Sequence, residues 1–250
     1  MTVEARITPA LAQAQERLIE AFEDPWARHF CKHQARRCAD DVLRLSAAYP
    51  GARVLNVGGA PYLFEVFSKE MGLSVDTLDI DPGRHGDVID SFGLSVRAAN
   101  FEIAQERAQI DLSAYDVIAL CEVFEHMRID LVGMMTDLRR RMRPDAVLYL
   151  TTPNFFYAPR YIKTLKKGTS GPSLVTEWRK LGEIGHMGHV REYSRSELSE
   201  FFAFTGFTCD FGYRNSRPSS AKIGTFLSRF DRFCQEFVIT LRPNGTPPAG

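Results

Sequence analysis

Short apolar runs recur along the chain and alternate with segments of helical spacing. Five runs, near residues 53–57, 75–80, 95–99, 116–121 and 146–151, have the length and the apolar positions expected of strands. Helical segments lie between most of them. This alternation predicts an α/β fold with a doubly wound parallel sheet, in which the connections are right-handed crossovers.

The regions on either side of this alternation have different patterns. Residues 8–48 are rich in Ala, Leu, Gln, Glu and Arg at helical spacing, and Pro25 is expected to separate two helices. A helix over 197–205 and two strands near 207–213 and 236–242 are predicted towards the C-terminus. We therefore predict an N-terminal helical segment, a main domain and a disordered tail, covering residues 1–50, 51–243 and 244–250.

A segment without clear periodicity interrupts the main domain at about residues 153–190. It combines aromatic residues, a basic stretch over 160–167 and a cluster of Gly, Thr, Ser and Pro. Unstructured connections of this length in compact domains are usually lids or binding loops. We predict a mobile lid whose aromatic side chains form the substrate pocket, namely Phe155, Phe156, Tyr157, Tyr161 and Trp178.

The segment from Val54 to Asp79 has the order of an adenosine-binding unit. A short strand is followed by Gly58 and Gly59, which permit a tight turn, and then by a predicted helix over Leu63–Met71. Asp79 lies about twenty residues after the glycines, where a carboxylate can accept hydrogen bonds from both ribose hydroxyls.

The glycine pattern distinguishes between the ligands that use this arrangement. Gly-x-Gly-x-x-Gly is absent, because Ala60 or Pro61 and Tyr62 fill the second and third glycine positions. A pyrophosphate needs bare backbone at the start of the helix, whereas S-adenosylmethionine (SAM) carries no phosphate. The pattern favours SAM over a dinucleotide, and an ordinary βαβ unit without a ligand remains the third interpretation.

The composition restricts the classes of partner. The 31 basic and 31 acidic residues balance, so a broad nucleic-acid or acidic-membrane surface is disfavoured and a small or neutral substrate is expected. The five cysteines form no Cys-x-x-Cys pair, which favours free thiols in the cytoplasm over disulfides or a zinc site. Neither a leader peptide nor a membrane span is expected.

Three polar side chains follow the fourth predicted strand. Glu122, Glu125 and His126 stand at i, i+3 and i+4, so a helical turn would place them on one face. Two carboxylates and an imidazole can hold a divalent cation such as Mg²⁺ or Mn²⁺. The alternative is that one glutamate binds the cofactor or caps a helix while His126 packs structurally.

Two further segments carry candidate site residues. His186 and His189 lie on a glycine-containing segment after the insertion, where either can supply a metal ligand or a general base, or belong to a plain surface loop. Asn100, Phe101 and Glu102 follow the third strand, where an adenine ring needs an acceptor and an apolar wall. A simple strand-to-helix turn is the alternative there.

Taken in order, these segments resemble class I SAM-dependent methyltransferases, and most of all a bacterial branch associated with polysaccharide and small-molecule biosynthesis. The resemblance covers roughly residues 50–215 and rests on residues 54–62, Asp79, residues 100–102, 121–126, 152–154 and 189–194. It implies a Rossmann-like seven-stranded sheet whose last strand is antiparallel. The SAM contacts that it implies are Asn56, Gly58, Gly59, Ala60, Asp79, Ile80, Asn100, Phe101, Glu102 and Glu122. Asn56 departs from the acidic residue that is common before the glycine turn.

A second resemblance concerns the metal. Glu-x-x-Glu-His is similar to the segment that binds a divalent ion in ubiquinone-pathway O-methyltransferases and in small-RNA terminal 2′-O-methyltransferases. The later histidine of the small-RNA enzymes corresponds to His189. This resemblance implies a Mg²⁺ or Mn²⁺ site at Glu122, Glu125, His126 and His189, and His189 or His126 is otherwise a candidate general base.

We therefore expect SAM-dependent methyl transfer to a hydroxyl of a small metabolite or a sugar-containing precursor. Methyl transfer is an in-line displacement at an activated carbon, so the protein supplies alignment and a way to remove the proton of the nucleophile. The alternatives are a nicotinamide-dependent oxidoreductase, a non-catalytic SAM-fold binding subunit and an RNA 2′-O-methyltransferase. The neutral charge disfavours the last of these.

Overall fold

A computed structural model describes residues 7–168, 188–215 and 230–244, together with positions 175, 176, 178, 179 and 226. A seven-stranded sheet with strand order β3-β2-β1-β4-β5-β7-β6 forms the centre of the fold. Its strands are β1 (Arg53–Val57), β2 (Ser74–Asp79), β3 (Ser95–Ala98), β4 (Val117–Cys121), β5 (Val147–Pro153), β6 (Phe207–Arg214) and β7 (Glu236–Pro243). The predicted α/β sheet is confirmed, and all seven predicted strands occur close to their predicted positions.

The pairing of the strands also agrees with the expectation. Strands β1 to β5 are parallel to their neighbours, whereas β7 pairs antiparallel with both β5 and β6. The chain leaves the sheet in opposite directions after β1 and β4, which are neighbours in the sheet. Open α/β sheets bind their ligands outside the carboxyl ends of the strands at such a switch point. The fold therefore places the candidate site at the ends of β1 and β4.

Helices cover both faces of the sheet. They are α1 (Pro9–Ala21), α2 (Pro25–Ala48), α3 (Leu63–Glu70), α4 (Gly86–Phe92), α5 (Ala104–Arg107), α6 (Leu131–Arg141), α7 (Ala158–Lys167) and α8 (Arg195–Phe204). On one face, apolar side chains of α1, α2 and α3 form a core with Val54, Val117 and Tyr149. On the other face, residues of α6 and α8 pack against Leu55, Ile118 and Leu148.

Helix α2 begins where the sequence pattern predicted a break. Pro25 is its first residue, and the Asp24 side chain accepts a hydrogen bond from the backbone N–H of Trp26 at 2.8 Å. Proline is favoured in the first turn of a helix because its missing N–H has no partner there. With 24 residues the helix is about 36 Å long. Because β1 starts shortly after its last residue, its N-terminal half extends to the carboxyl ends of the strands.

The insertion contains more regular structure than the sequence pattern suggested. Helix α7 lies inside the segment that we expected to lack periodicity. The local signals are Pro159 in its first turn and Gly168 at its C-cap, with a φ of 67°. Both are usual at helix ends, but a ten-residue helix with few apolar positions gives a weak periodic signal.

Parts of three predictions lie outside the described residues. These are most of the lid after Gly168, the predicted role of His186, and the C-terminal tail after Asn244. None of the helices in the described part of the chain has the length and hydrophobicity needed to cross a bilayer.

Candidate cofactor and catalytic site

The glycine turn after β1 is held close to the neighbouring strands. The backbone N–H of Gly58 donates to the carbonyl of Leu78 at 2.8 Å, and Gly58 has a φ of 77°. A Cβ at this position would lie 2.8 Å from Cγ2 of Val123, the second residue after β4. Glycine is therefore required at position 58 both by the backbone conformation and by the close approach of the loop after β4.

Tyr62 occupies the position of the third glycine in a dinucleotide-binding turn. Its φ of 62° lies in the left-handed region, which costs a non-glycine residue roughly 1–2 kcal/mol. Its side chain is fully buried and its ring meets that of His85 edge to face, with centroids 6.3 Å apart. The packing of a large ring offsets the backbone cost. A buried tyrosine replaces the bare backbone that would approach a pyrophosphate, which agrees with a ligand without phosphate.

Asp79, at the end of β2, closes the turn from the other side. Its Oδ2 accepts a hydrogen bond from the backbone N–H of Ala60 at 3.0 Å, and its Oδ1 accepts one from Asp81, also at 3.0 Å. Each carboxylate oxygen can accept a further hydrogen bond, so the side chain can bind two ribose hydroxyls. The next residue, Ile80, is 74% exposed and offers an apolar surface beside the ribose position.

The residues after β3 take several roles. The backbone N–H of Glu102 donates to Oδ1 of Asn100 at 3.0 Å, which forms a local turn. Oε1 of Glu102 accepts from the backbone N–H of Arg128 at 2.6 Å and so holds the loop that follows β4. Phe101 is packed in the core and is only 3% exposed. Little of its ring is available to an adenine, so of these three residues Asn100 is the best placed to contact it.

Glu122 is not part of the group of predicted metal ligands whose ligating atoms lie within 4.8 Å of one another. Glu122 has a φ of 59°, and the 3₁₀ turn Phe124–His126 begins only after Val123. The expected helical turn with all three side chains on one face therefore does not form. Oε2 of Glu122 instead lies 3.1 Å from Nη1 of Arg37, on helix α2.

Glu125, His126 and His189 do come together. One ligating atom of each lies within 4.8 Å of the others. Nε2 of His189 is 3.8 Å from Oε1 of Glu125, and the two imidazole rings have centroids 4.9 Å apart. Among the described residues, this group can hold a divalent cation through one carboxylate oxygen and two imidazole nitrogens.

The surroundings of Glu125 fit a cation. Its side chain is fully buried, and Thr152 Oγ1 donates to its Oε2 at 3.0 Å, while its Oε1 has no hydrogen-bond partner. Burial, followed by the charge of Glu122, raises the pKa of the Glu125 carboxyl well above its usual value. A bound cation would reverse this shift, because it favours the ionised carboxylate.

His189 is oriented by a second carboxylate. Its Nδ1 donates a hydrogen bond to Oε1 of Glu192 at 2.8 Å, which leaves Nε2 on the side of Glu125. A carboxylate behind an imidazole fixes the tautomer of the ring and makes the other nitrogen more basic, as it does in metal sites and in general bases.

A buried network of charges lies on the other side of Glu122. Arg214, at the end of β6, contacts Asp41 at 2.5 Å and Glu236 at 2.7 Å, and Tyr149 donates to Asp41 at 2.8 Å. Burial, followed by the charge of Glu236, raises the pKa of Glu122 to about 7. This network was not predicted from the sequence. Its only local signal is the placement of charged residues at strand ends and on the buried face of α2.

Comparisons with known proteins agree with this geometry. A family described as "Methyltransferase domain" matches residues 30–210, which is most of the chain. The match includes both the glycine turn and the Glu125 group. The chain belongs to this methyltransferase family and has the class I SAM-dependent fold. No curated protein matches the chain at a significant level.

Solved structures of low sequence identity share the fold. A SAM-dependent methyltransferase from Archaeoglobus fulgidus is 14% identical with a TM-score of 0.57, over 88% of this chain and 100% of that one. The small RNA methyltransferase HEN1 is 13% identical with a TM-score of 0.59, over 85% of this chain but 25% of that one. Phosphoethanolamine N-methyltransferase 2 from Haemonchus contortus, in complex with SAM, is 11% identical with a TM-score of 0.52, over 83% and 52%. The last two are named for different acceptors, a small RNA and phosphoethanolamine, so the fold does not define the acceptor.

Proposed function

We propose that this protein transfers the methyl group of SAM to a hydroxyl of a small, polar metabolite or sugar-containing precursor. The observation that carries the proposal is the group Glu125, His126 and His189, placed directly beyond the loop that packs on the glycine turn. A hydroxyl must lose its proton to become a methyl acceptor, and this group can favour that loss.

The donor set fits a divalent cation. One carboxylate and two imidazoles match Mn²⁺ better than Mg²⁺, which prefers oxygen ligands. A bound ion would lower the pKa of an acceptor hydroxyl. The unpartnered buried Oε1 of Glu125 supports this assignment, because a buried carboxylate oxygen without a donor is costly.

His189 gives the site a second means of accepting a proton. Its Nδ1–H bond to Glu192 stabilises the imidazolium that forms when Nε2 takes a proton. Activation of the acceptor by a metal ion and removal of its proton by His189 would both favour a hydroxyl acceptor. The two mechanisms differ in whether the metal is required.

The acceptor side is both polar and aromatic. Thr151 Oγ1, Asp41 Oδ2 and Arg214 Nη2 are buried without hydrogen-bond partners near the ends of β5 and β6. Phe155, exposed by 42%, begins a chain of ring contacts with Phe156 and Tyr161, at centroid distances of 5.2 and 5.7 Å. Unpartnered hydrogen-bonding groups and exposed rings are both features that suit an acceptor rich in hydroxyl groups.

The test has two parts. A panel of hydroxylated metabolites and sugar derivatives is incubated with SAM, and formation of S-adenosylhomocysteine is measured against matched amine acceptors. Turnover with hydroxyl acceptors is expected, whereas turnover with amines alone would overturn the proposal. Absence of any turnover would favour a non-catalytic SAM-fold subunit.

The second part tests the metal. Enzyme treated with a chelator is titrated with Mn²⁺ by calorimetry, and its turnover is compared with that of the untreated enzyme. Glu125→Gln should abolish the high-affinity site. The control is His29→Ala/His33→Ala, which removes two exposed histidines on α2 with ring centroids 4.2 Å apart, and so any incidental metal binding there. Full turnover of the chelated enzyme would assign the proton transfer to His189 alone.

A further inference from the structure

A buried glutamate lies directly beneath the glycine turn. Glu65, on α3, is 3% exposed, and its Oε1 accepts hydrogen bonds from Asn56 Nδ2 and Thr77 Oγ1, each at 2.7 Å. A Cβ on Gly59 would be 2.5 Å from Thr77 Cγ2 and closer still to Oε1 of Glu65. The carboxylate therefore packs against the backbone of the turn with no side chain between them.

The two polar side chains beneath the turn have unused acceptor atoms. Oδ1 of Asn56 and Oε2 of Glu65 have no hydrogen-bond partner, although both residues are buried. A buried acceptor without a donor is destabilising, because it has lost its hydrogen bonds to water. Two such atoms on side chains that are hydrogen-bonded to each other indicate that a donor from a ligand belongs there.

The orientation of the Asn56 amide is fixed by Glu65. Because the Nδ2 group donates to a carboxylate, the amide oxygen is the atom that Asn56 leaves for another partner. An asparagine alone would offer a ligand cation only the dipole of its amide group. Here the Glu65 carboxylate, 2.7 Å from the amide nitrogen, polarises the amide group of Asn56.

We propose that Glu65 supplies the negative charge for the methionyl ammonium of SAM, and that it acts through Asn56 as a positioning residue. The Asn56 oxygen accepts a hydrogen bond from the ammonium, while the Glu65 carboxylate orients and polarises the amide. Related proteins commonly have an acidic residue at the position of Asn56 on β1. In this protein the negative charge is instead on Glu65 of helix α3. This inference rests on the SAM fold, and it is independent of the proposals on the acceptor and the metal.

The ionisation of Glu65 provides a means of testing the proposal. Burial is the main cause that raises its pKa to about 7, and the hydrogen bonds from Asn56 and Thr77 act in the opposite direction. An ammonium favours the ionised form, so its binding should be stronger above this pKa and weaker below it.

Other titratable groups near Glu65 affect its pKa or could change charge in the same pH range. Asp79 on β2 raises the pKa of Glu65 further, and the neighbouring Tyr62 and Cys38 have pKa values raised by burial, the latter to about 11. The tyrosine and the cysteine therefore stay neutral near pH 7. The pKa of His85, which packs on Tyr62, is lowered mainly by burial, which favours its neutral form near pH 7.

The experiment compares two ligands by calorimetry. S-adenosylhomocysteine has the ammonium, whereas 5′-methylthioadenosine lacks the whole amino-acid part. In Glu65→Gln, the affinity for S-adenosylhomocysteine at about pH 8 should fall roughly tenfold, the loss expected for one charge-assisted hydrogen bond, while that for 5′-methylthioadenosine changes less than about twofold. An equal loss for both ligands would show a structural role for Glu65, and no loss would refute the proposal.

Exchanging the two groups gives a second arm. Asn56→Asp alone places two carboxyl groups in contact and should weaken S-adenosylhomocysteine binding or the fold. Asn56→Asp combined with Glu65→Gln puts the charge on β1 and the amide on α3, and should restore the affinity. If the double variant binds S-adenosylhomocysteine no better than Glu65→Gln does, Glu65 does not supply the charge for the ammonium, and the proposal is wrong.

The wild-type protein supplies a test without any variant. The affinity for S-adenosylhomocysteine, divided by that for 5′-methylthioadenosine, should decrease as the pH falls from about 8 to about 6. The decrease should be up to tenfold per pH unit below the pKa of Glu65. Calorimetry in buffers of different ionisation enthalpy should show proton release when S-adenosylhomocysteine binds near pH 7. A ratio that does not depend on pH would overturn the proposal even if no variant folds.

Discussion

Arg37 and Glu122 form a buried ion pair that joins helix α2 to the loop after β4, with 3.1 Å between Nη1 and Oε2. Their side chains are 11% and 12% exposed. The pair gives Glu122 a partner on helix α2, while its predicted role as a metal ligand stays a prediction. Glu122 has a left-handed backbone and lies two residues before the turn Phe124–His126.

Breaking this pair on one side should destabilise the fold. Arg37→Met leaves Glu122 buried without its cation, and we expect a loss of about 3–5 kcal/mol in the free energy of unfolding at about pH 8. Arg37→Met/Glu122→Gln should recover most of this loss. Urea unfolding of the single and double variants measures both values.

The pH dependence of that loss follows from the pKa of Glu122. Burial raises this pKa to about 7, so the folded protein holds a proton on Glu122 that the unfolded chain has already lost between about pH 4.5 and 7. In Arg37→Met the pKa should rise further, so the destabilisation should be nearly constant from about pH 4.5 to 7 and should grow above about pH 7, where Glu122 ionises in the folded wild-type protein but not in the folded variant. A loss that is the same at about pH 5.5 and 8 would contradict the assignment.

Asp79 should be the main determinant of ribose binding. Asp79→Ala removes the acceptor for the ribose hydroxyls and for the Ala60 N–H, so the affinity for SAM should fall roughly ten- to a hundredfold. Asp81→Ala is the matched control, because it removes an exposed carboxylate two residues away and keeps the backbone N–H that donates to Asp79. Calorimetry measures the SAM affinity of both variants, and so separates the effect of the Asp79 carboxylate from that of the nearby Asp81 carboxylate.

Gly59 should tolerate no side chain. The added Cβ of Gly59→Ala would overlap Thr77 and Glu65 in the core, and we expect a destabilisation of about 1–3 kcal/mol. Gly86→Ala is the control, because position 86 is helical and a Cβ there has nothing within 4 Å, so the replacement should be neutral or slightly stabilising. Thermal unfolding compares the two, and a neutral Gly59→Ala would show that the Glu65 carboxylate is not held against the turn.

Glu192 should affect metal binding without being a ligand. Its bond to Nδ1 of His189 orients the ring, so Glu192→Gln should weaken Mn²⁺ binding about ten- to a hundredfold, whereas Glu125→Gln should remove the site. Calorimetric titration of the chelated proteins measures both effects. Equal effects of the two variants would mean that Glu192 itself is a ligand.

The strands and the adenosine unit were predictable because they depend on local patterns. Buried runs such as Val54–Val57 are apolar whatever they pack against, and the spacing from Gly58 to Asp79 is set by one βαβ unit. The antiparallel direction of the last strand was not visible in any such pattern and came from the resemblance to methyltransferases, and the position of β7 between β5 and β6 was not predicted.

The charged interior was not predictable in the same way. Glu65 looks like an ordinary acidic residue in the first turn of α3, and Arg214 finds Asp41 across 173 positions of sequence. The spacing of Glu122 and Glu125 suggested a shared face, but the backbone at Glu122 is left-handed and its side chain pairs with Arg37 on a distant helix. Such long-range pairs are decided by the fold as a whole.

The length of α2 has a consequence for how the two substrates influence each other. The helix has no glycine and no proline after Pro25, and it contacts Arg84 through Asp24 at its start, Glu122 at its middle and Tyr149 further on. A long helix without a flexible point moves as a rigid unit, so a displacement at one end also displaces the other end. If SAM shifts this helix so as to strengthen the binding of the acceptor, the acceptor must strengthen the binding of SAM by the same factor, because such coupling is reciprocal.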